Sequence, residues 1–181
     1  ATKHGADSPF VRPDELATDG ASSSDVIAHA LDWLEFNENQ YYDAVMLLEP
    51  SSPFALPKDY DGAVEMMSAR TASAVLGVRP VTVASIFAGE LDADGGIRAI
   101  AGRVNQLMKV NRQEVSQEYT MNGALYLFKC DMFKAAHSVY GDPENTYGYV
   151  MDSFHSVEID EIVELEWARF LVEYGRVKVP E

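Results

Sequence analysis

Two acids stand two residues apart in the run Ser156-Val157-Glu158-Ile159-Asp160. In an extended segment, residues two apart share a face, so both carboxylates would point together just ahead of a helix beginning near Glu161. Hard oxygen ligands so placed suit magnesium that retains waters and bridges substrate phosphates. The competing reading is a helix-capping Asp160 beside a solvated Glu158. Two arginines offer complementary chemistry, each weighed against an ordinary surface role. Arg12 lies in the proline-restrained segment Arg12-Pro13-Asp14-Glu15-Leu16-Ala17-Thr18-Asp19, just before Ser22-Ser23-Ser24. A guanidinium beside the free N–H groups of a helix amino end can bind a carbonyl-bearing base or a phosphate. Arg112, next to Gln113, suits bidentate capture of a carboxylate. His4, His29, His137 and His155 show no metal-ligand or triad spacing, and their expected roles are structural or on the surface. Asp92 and Asp94 resemble the start of a calcium loop, but the later ligands and distal glutamate are missing, which leaves a solvated turn.

The elements that must position these groups alternate in type. The Ser22 to Ser24 cluster and Asp25 supply N-caps for a helix over about 25–36, with Val26, Ala30 and Trp33 on one face and Ile27, Leu31 and Leu34 beside it. Residues 44–48 are almost wholly apolar, as in a parallel strand covered on both faces, and Pro50-Ser51-Ser52-Pro53 then stops the chain. Loops beyond the carboxyl ends of such strands bind ligands in open α/β folds, so the segment Leu47 to Phe54 is either a ligand loop or a core strand with an ordinary turn. Pro57 and Asp59 open a second helix carrying Ala63, Val64, Met66 and Met67, and 72–78 is a second strand. Runs at 83–88 and 97–101, around Asp92-Ala93-Asp94-Gly95-Gly96, read as a hairpin. Gly123-Ala124-Leu125-Tyr126-Leu127-Phe128 is a buried strand with Asn122 at its mouth, followed by a short helix near 131–136. Residues 147–151 read as a strand or a partner-covered arm, and 156–160 as a short strand. A helix over about 161–174 carries Ile162, Leu165, Ala168 and Leu171 or Val172 as its apolar stripe, with Gly175 at C′. This order predicts an α/β fold with a mainly parallel sheet flanked by helices.

The chain has 181 residues, 47% hydrophobic and 24% charged, which fits one domain with a substantial core. Its 14 basic and 29 acidic residues give a formal charge of -15, which argues against broad contact with nucleic acid or an anionic membrane. Cys130 is alone, so no intramolecular disulfide framework or cysteine zinc site exists and packing is its expected role. A reducing, cytoplasmic setting is expected. No apolar stretch reaches the roughly 20 residues that span a bilayer, and no signal-peptide pattern opens the sequence.

Taken in order, Arg12 to Asp19 with Ala21-Ser22-Ser23, then Leu47 to Phe54, Arg112-Gln113, Asn122-Gly123-Ala124-Leu125-Tyr126 and Val157-Glu158-Ile159-Asp160 resemble the sugar-acid cytidylyltransferases, the N-acylneuraminate cytidylyltransferase family. The resemblance covers essentially the whole chain. It implies a Rossmann-like nucleotidyltransferase fold in one domain, 1–181, with about 83–118 as a hairpin extension for dimerisation. It also implies transfer of CMP from CTP to a nonulosonic or related 2-keto sugar acid, with release of pyrophosphate. Arg12, Ser23 and the backbone at Ala21 would contact cytosine, and Asp19 would shape that loop. Glu49, Arg112 and Tyr126 would meet the sugar acid, with Asn122 beside them. Glu158 and Asp160 would hold Mg2+, Asp160 also being the catalytic candidate. A homodimer is expected. Glu49 stands where many members carry glutamine, and Ala55 where an arginine often follows the turn. The family's glycine-rich, basic loop for the triphosphate does not occur in this sequence, so an amino-terminally incomplete domain with little activity as an isolated chain is expected. A non-catalytic binding or assembly module derived from the same fold is the alternative.

Overall fold

Ser22 opens the first helix, α1 (Ser23–Glu38), by accepting the Asp25 backbone N–H on its Oγ at 3.0 Å. Asn39 closes it with φ 52, in the left-handed region. The computed structural model describes residues 2–18, 20–81, 85–107 and 116–178. Within them follow β1 (Ala44–Leu47), α2 (Pro57–Arg70), β2 (Ala74–Pro80), α3 (Arg98–Leu107), β3 (Tyr119–Lys129), α4 (Cys130–Ala136), β4 (Thr146–Val150) and α5 (Ile162–Glu173). Pro57 occupies the first position of α2, where no N–H is needed, and the Asp59 carboxylate accepts the Leu56 N–H at 3.0 Å.

The strands form one mixed sheet in the order β1-β3-β2-β4. β3 runs antiparallel to both β1 and β2, and β2 pairs with β4 in parallel. The α/β layering agrees with a Rossmann-like arrangement, but the expectation of a mainly parallel sheet is corrected. A strand buried on both faces has the same apolar signature whichever way it runs, and its direction is set by where the preceding connection delivers it.

Successive side chains of β3 feed two cores. Phe128 meets Ile27 and Leu31 of α1 and Phe133 of α4 on one face. On the other, Leu125 and Leu127 join Ala63 and Met67 of α2 with Val75 and Met151. Cys130 is buried in the first core, and burial pushes its thiol above the ordinary value, as packing rather than nucleophilic chemistry requires. A third cluster holds α5, through Ala168 and Leu171, against Phe54, Val157 and Val177. Gly175 follows α5 with φ +64. Of the two alternatives for the last place in the stripe Leu171 is the buried one, whereas Ile162, also expected there, is 67% exposed. Among the described residues no helix is long and apolar enough to cross a membrane.

Three further expectations are corrected. The strand expected at 97–101 is instead the start of α3. The preceding turn does form, with Asp92 N–H donating to Gly96 O and Gly95 N–H to Asp92 O, both at 2.8 Å. Arg98 folds back onto Asp92 and Asp94, and Ile100 and Val104 stand one helical turn apart, a period that a five-residue window hides. Residues 85–87 form a 3-10 turn, while 82–84 and 108–115 lie outside the described residues. Secondly, 156–160 is not a strand. Ser156 Oγ bonds to Asp152 O at 2.8 Å, and Ile159 N–H to Ser51 O at 2.9 Å, so the segment is tied to the loop after β1 rather than to the sheet. Thirdly, Asp160 does not cap α5 with its side chain. The Glu164 carboxylate reaches back to the N–H groups of Asp160 and Glu161, at 3.0 and 2.6 Å. The tyrosines of β4 are held within the chain, with Arg70 4.9 Å over the Tyr147 ring and the Tyr149 ring against Gly62 of α2.

Candidate functional site

The pairing of Leu47 with Tyr126 builds the site, because it sets the carboxyl end of β1 beside the middle of β3. A cleft of about 270 Å³ opens there. Ser22, Ser23, Ser24 and Ile27 of α1 form one wall, and Leu47, Glu49 and Tyr126 form its floor. Ser138, Val139 and Tyr140, in the turn after α4, form the opposite wall. The cleft therefore joins Ser23, Glu49 and Tyr126, which the sequence singled out in three distant segments. Hydroxyls dominate its polar lining, a chemistry suited to a polyhydroxylated ligand.

Glu158 borders the same region. Its carboxylate lies against the backbone of Gly123, where a β-carbon would stand. Gly123 has φ +68 and follows the register shift opposite Leu76 and Val78, so β3 bulges at this point. Burial, with lesser contributions from Tyr140, Glu158 and Glu49, holds the Tyr126 phenol above its ordinary value, so it remains a neutral donor. Burial and then the charge of Asp160 likewise push the Glu158 carboxyl up, with Arg79 opposing them and Glu49 adding a smaller push. Among the described residues no group of three or more histidine, cysteine or acidic side chains could enclose a metal. Glu158 and Asp160 offer two mutually repelling carboxylates, a donor set that fits a hard cation completing its shell with water and phosphate oxygens.

No family model matches the chain. It is 29% identical over 171 residues to the CMP-N,N'-diacetyllegionaminic acid synthase of Legionella pneumophila subsp. pneumophila, covering 93% of this chain and 69% of that protein. It is also 29% identical over 169 residues to the N-acylneuraminate cytidylyltransferase of Escherichia coli O18:K1:H7, covering 93% of this chain and 38% of that protein. The Post-translational flagellin modification protein B of Campylobacter coli is 26% identical over 173 residues, 95% of this chain and 71% of that protein. Over most of its length the chain is similar to proteins named as a CMP-sugar-acid synthase and an N-acylneuraminate cytidylyltransferase.

The other positions that carry the resemblance to the cytidylyltransferases are less uniformly gathered. Arg12 is exposed in the loop before α1, and the Ala21 N–H is taken by Thr18 O at 3.1 Å. Asp19 and Arg112 lie outside the described residues. Asn122 is corrected from the strand mouth to the interior. It is fully buried, its Nδ2 donates to Met151 Sδ at 3.2 Å, and its Oδ1 accepts the Ala124 N–H at 3.1 Å, so it braces the bulge rather than facing a ligand. Ser138, Val139 and Tyr140 were missed in the sequence. The signal for them is indirect: α4 is so short that the chain leaving it remains beside the strand that entered it.

Gly123→Ala is expected to cost about 1–2 kcal/mol from the left-handed backbone alone. It should lower the melting temperature by roughly 2–8 °C for a chain of this size. The added methyl must also displace Glu158. A thermal melt identical to wild type would refute the strained bulge.

Proposed function

We propose that this chain carries the fold and site of an enzyme that activates a nonulosonic or related 2-keto sugar acid by transferring CMP from CTP, with little activity as the isolated chain. The observation that carries the proposal is the single cleft shared by Ser23, Glu49 and Tyr126, with Glu158 outside its lining but near enough for its charge to act on Tyr126. The names of the matched relatives supply the reaction class. The anomeric hydroxyl attacks the α-phosphorus, a new P–O bond forms, and the bond to the β-phosphate breaks to release pyrophosphate. Arg12, Ser23 and the backbone near Ala21 orient the cytosine, with Asp19 shaping their loop. Glu49, Tyr126 and Arg112 orient the sugar acid. A carboxylate at position 49 accepts hydrogen bonds and donates none, so it selects for hydroxyl or N–H groups on the sugar. Glu158 and Asp160 would hold magnesium, which when bound stabilises negative charge on the phosphates. The 83–118 region is proposed as the contact of a homodimer in the cytoplasm.

The direct test is incubation with CTP, magnesium and a panel of 2-keto sugar acids, following pyrophosphate and the mass of any CMP-sugar. In parallel, thermal stabilisation by CTP is compared with that by ATP, GTP and UTP. A cytidine preference with little or no CMP-sugar product from this chain alone is expected, and a ligand at 100 times its Kd stabilises by about 2.7 kcal/mol. Turnover at ordinary enzyme rates would sink the expectation that the glycine-rich loop is required, and no cytidine preference would sink the proposal. Preference with no product even when a glycine-rich, basic segment is supplied upstream favours the binding module, a reading that Glu49 and Ala55 also motivate.

Tyr126→Phe removes one neutral donor from the floor of the cleft while keeping the ring. It should weaken sugar-acid binding by about 2- to 10-fold, the range for one such hydrogen bond. The nucleotide affinity should not change. A sugar-acid KM equal to that of wild type would remove Tyr126 from the site.

A further inference from the structure

We infer that Asp25 and His137 form a clasp that fixes the 138–140 wall of the cleft against the amino end of α1, making His137 a positioning residue for the nucleotide. The inference rests on the cytidylyl-transfer reading only for the identity of that ligand. His137 Nε2 lies 2.8 Å from Asp25 Oδ1. The other Asp25 oxygen accepts from Ser22 Oγ at 2.7 Å, and that same Oγ caps α1 by accepting the Asp25 N–H. Ser22 lines one wall of the cleft, and the three residues after His137 line the other. The network therefore ties the two groups of lining residues together, and of its members only Ser22 lines the cleft.

Its leverage comes from the backbone at His137. This residue ends α4 in the left-handed region, with φ 51 and its N–H on Phe133 O at 2.7 Å, so its conformation sets the direction in which 138–140 leaves the helix. Tyr140 N–H donates to Ser138 Oγ at 3.1 Å, which makes the turn move as one piece. A second tie between the same helices, Lys134 Nζ to Glu35 at 2.6 Å, leaves the clasp only the final orientation of the turn to decide. Hydrogen bonds from Ser22 and then from His137 hold the Asp25 carboxyl below its ordinary value, so it remains an acceptor. The imidazole donates from Nε2 in its cationic form and in one neutral tautomer. Both side chains are about half exposed, at 55% and 52%, and the His137 ring also packs with its centroid 5.9 Å from that of Phe133, a contact that both substitutions below remove alike.

The test compares wild type with His137→Ala and His137→Gln. Both substitutions carry the same backbone cost at a left-handed position, but only glutamine can still donate to Asp25. Hydrogen exchange at the amides of 138–141 is expected to quicken about threefold in His137→Ala, as for loss of an exposed pair, and to return towards wild type in His137→Gln. CMP affinity by calorimetry should follow the same pattern, about threefold weaker and then restored, with melting temperatures within about 2 °C. Exchange that is equal in wild type and His137→Ala, or no better in His137→Gln than in His137→Ala, overturns the clasp. An unchanged CMP affinity in His137→Ala overturns the positioning role. If wild type binds no CMP, the cytidylyl-transfer reading and the nucleotide-positioning role both fail, while exchange still decides whether the clasp exists.

Discussion

Replacing Glu158 by glutamine is expected to raise the melting temperature of the metal-free chain and, under the proposed function, to lower cytidylyl transfer on the order of 10²-fold. The two effects share one cause. Burial and the neighbouring Asp160 make ionised Glu158 unfavourable in the folded state, and its carboxyl is held above the ordinary value. A raised carboxyl contributes stability that is fully present below the unfolded-state value and is lost as pH rises through the folded-state value. At neutral pH the charge therefore opposes folding, and an uncharged amide of similar shape relieves that opposition. A bound divalent cation would relieve it too. Magnesium should raise the melting temperature of wild type and leave Glu158→Gln nearly unmoved. The linkage fails if both proteins respond equally to magnesium, or if the variant keeps full transfer activity.

Phe128→Ala is expected to produce the largest loss of stability, about 3–5 kcal/mol, as for other buried phenylalanines cut to alanine. Phe128 is fully buried, with its ring centroid 5.2 Å from that of Phe133, and it joins β3 to α1 and α4. A melting temperature lower by roughly 6–20 °C should be read in thermal unfolding. The loss reaches the site, because β3 carries Gly123 and Tyr126 and α4 carries the 138–140 wall. Nucleotide affinity should fall at temperatures well below the melt. A drop of only a degree or two would mean that this core collapses around the missing ring instead of retaining a cavity.

The features legible in the sequence are those encoded within a few residues. The Ser22 cap, Pro57 with Asp59 at the start of α2, and Gly175 after α5 each act on their own turn of backbone. The apolar runs that became β1 and β3 are similarly local. The direction of β3 was hidden because Phe128 and Leu127 meet opposite faces of a covered sheet, leaving no polar side to reveal orientation. Glu158 and Asp160 were found as a pair, but their setting was not, since the contact with Gly123 joins segments far apart in sequence. Asn122 misled for a related reason. A polar residue at the start of an apolar run resembles a strand mouth, and only the bulge at Gly123 turns it inward to Met151. The wall at Ser138 to Tyr140 depends on how α4 packs on α1, which no local window contains.

β1 and β2 are never neighbours: each pairs with β3, which lies between them. During synthesis, Leu47 waits for Tyr126 while on the order of 80 further residues are added, roughly 4–16 s at ribosomal speed. Once Pro80 has been added, two apolar strands exist with their common partner still unmade. Assembly of the sheet is thus an insertion event rather than a zipping from one end, and the nascent chain is most open to mispairing just before β3 emerges.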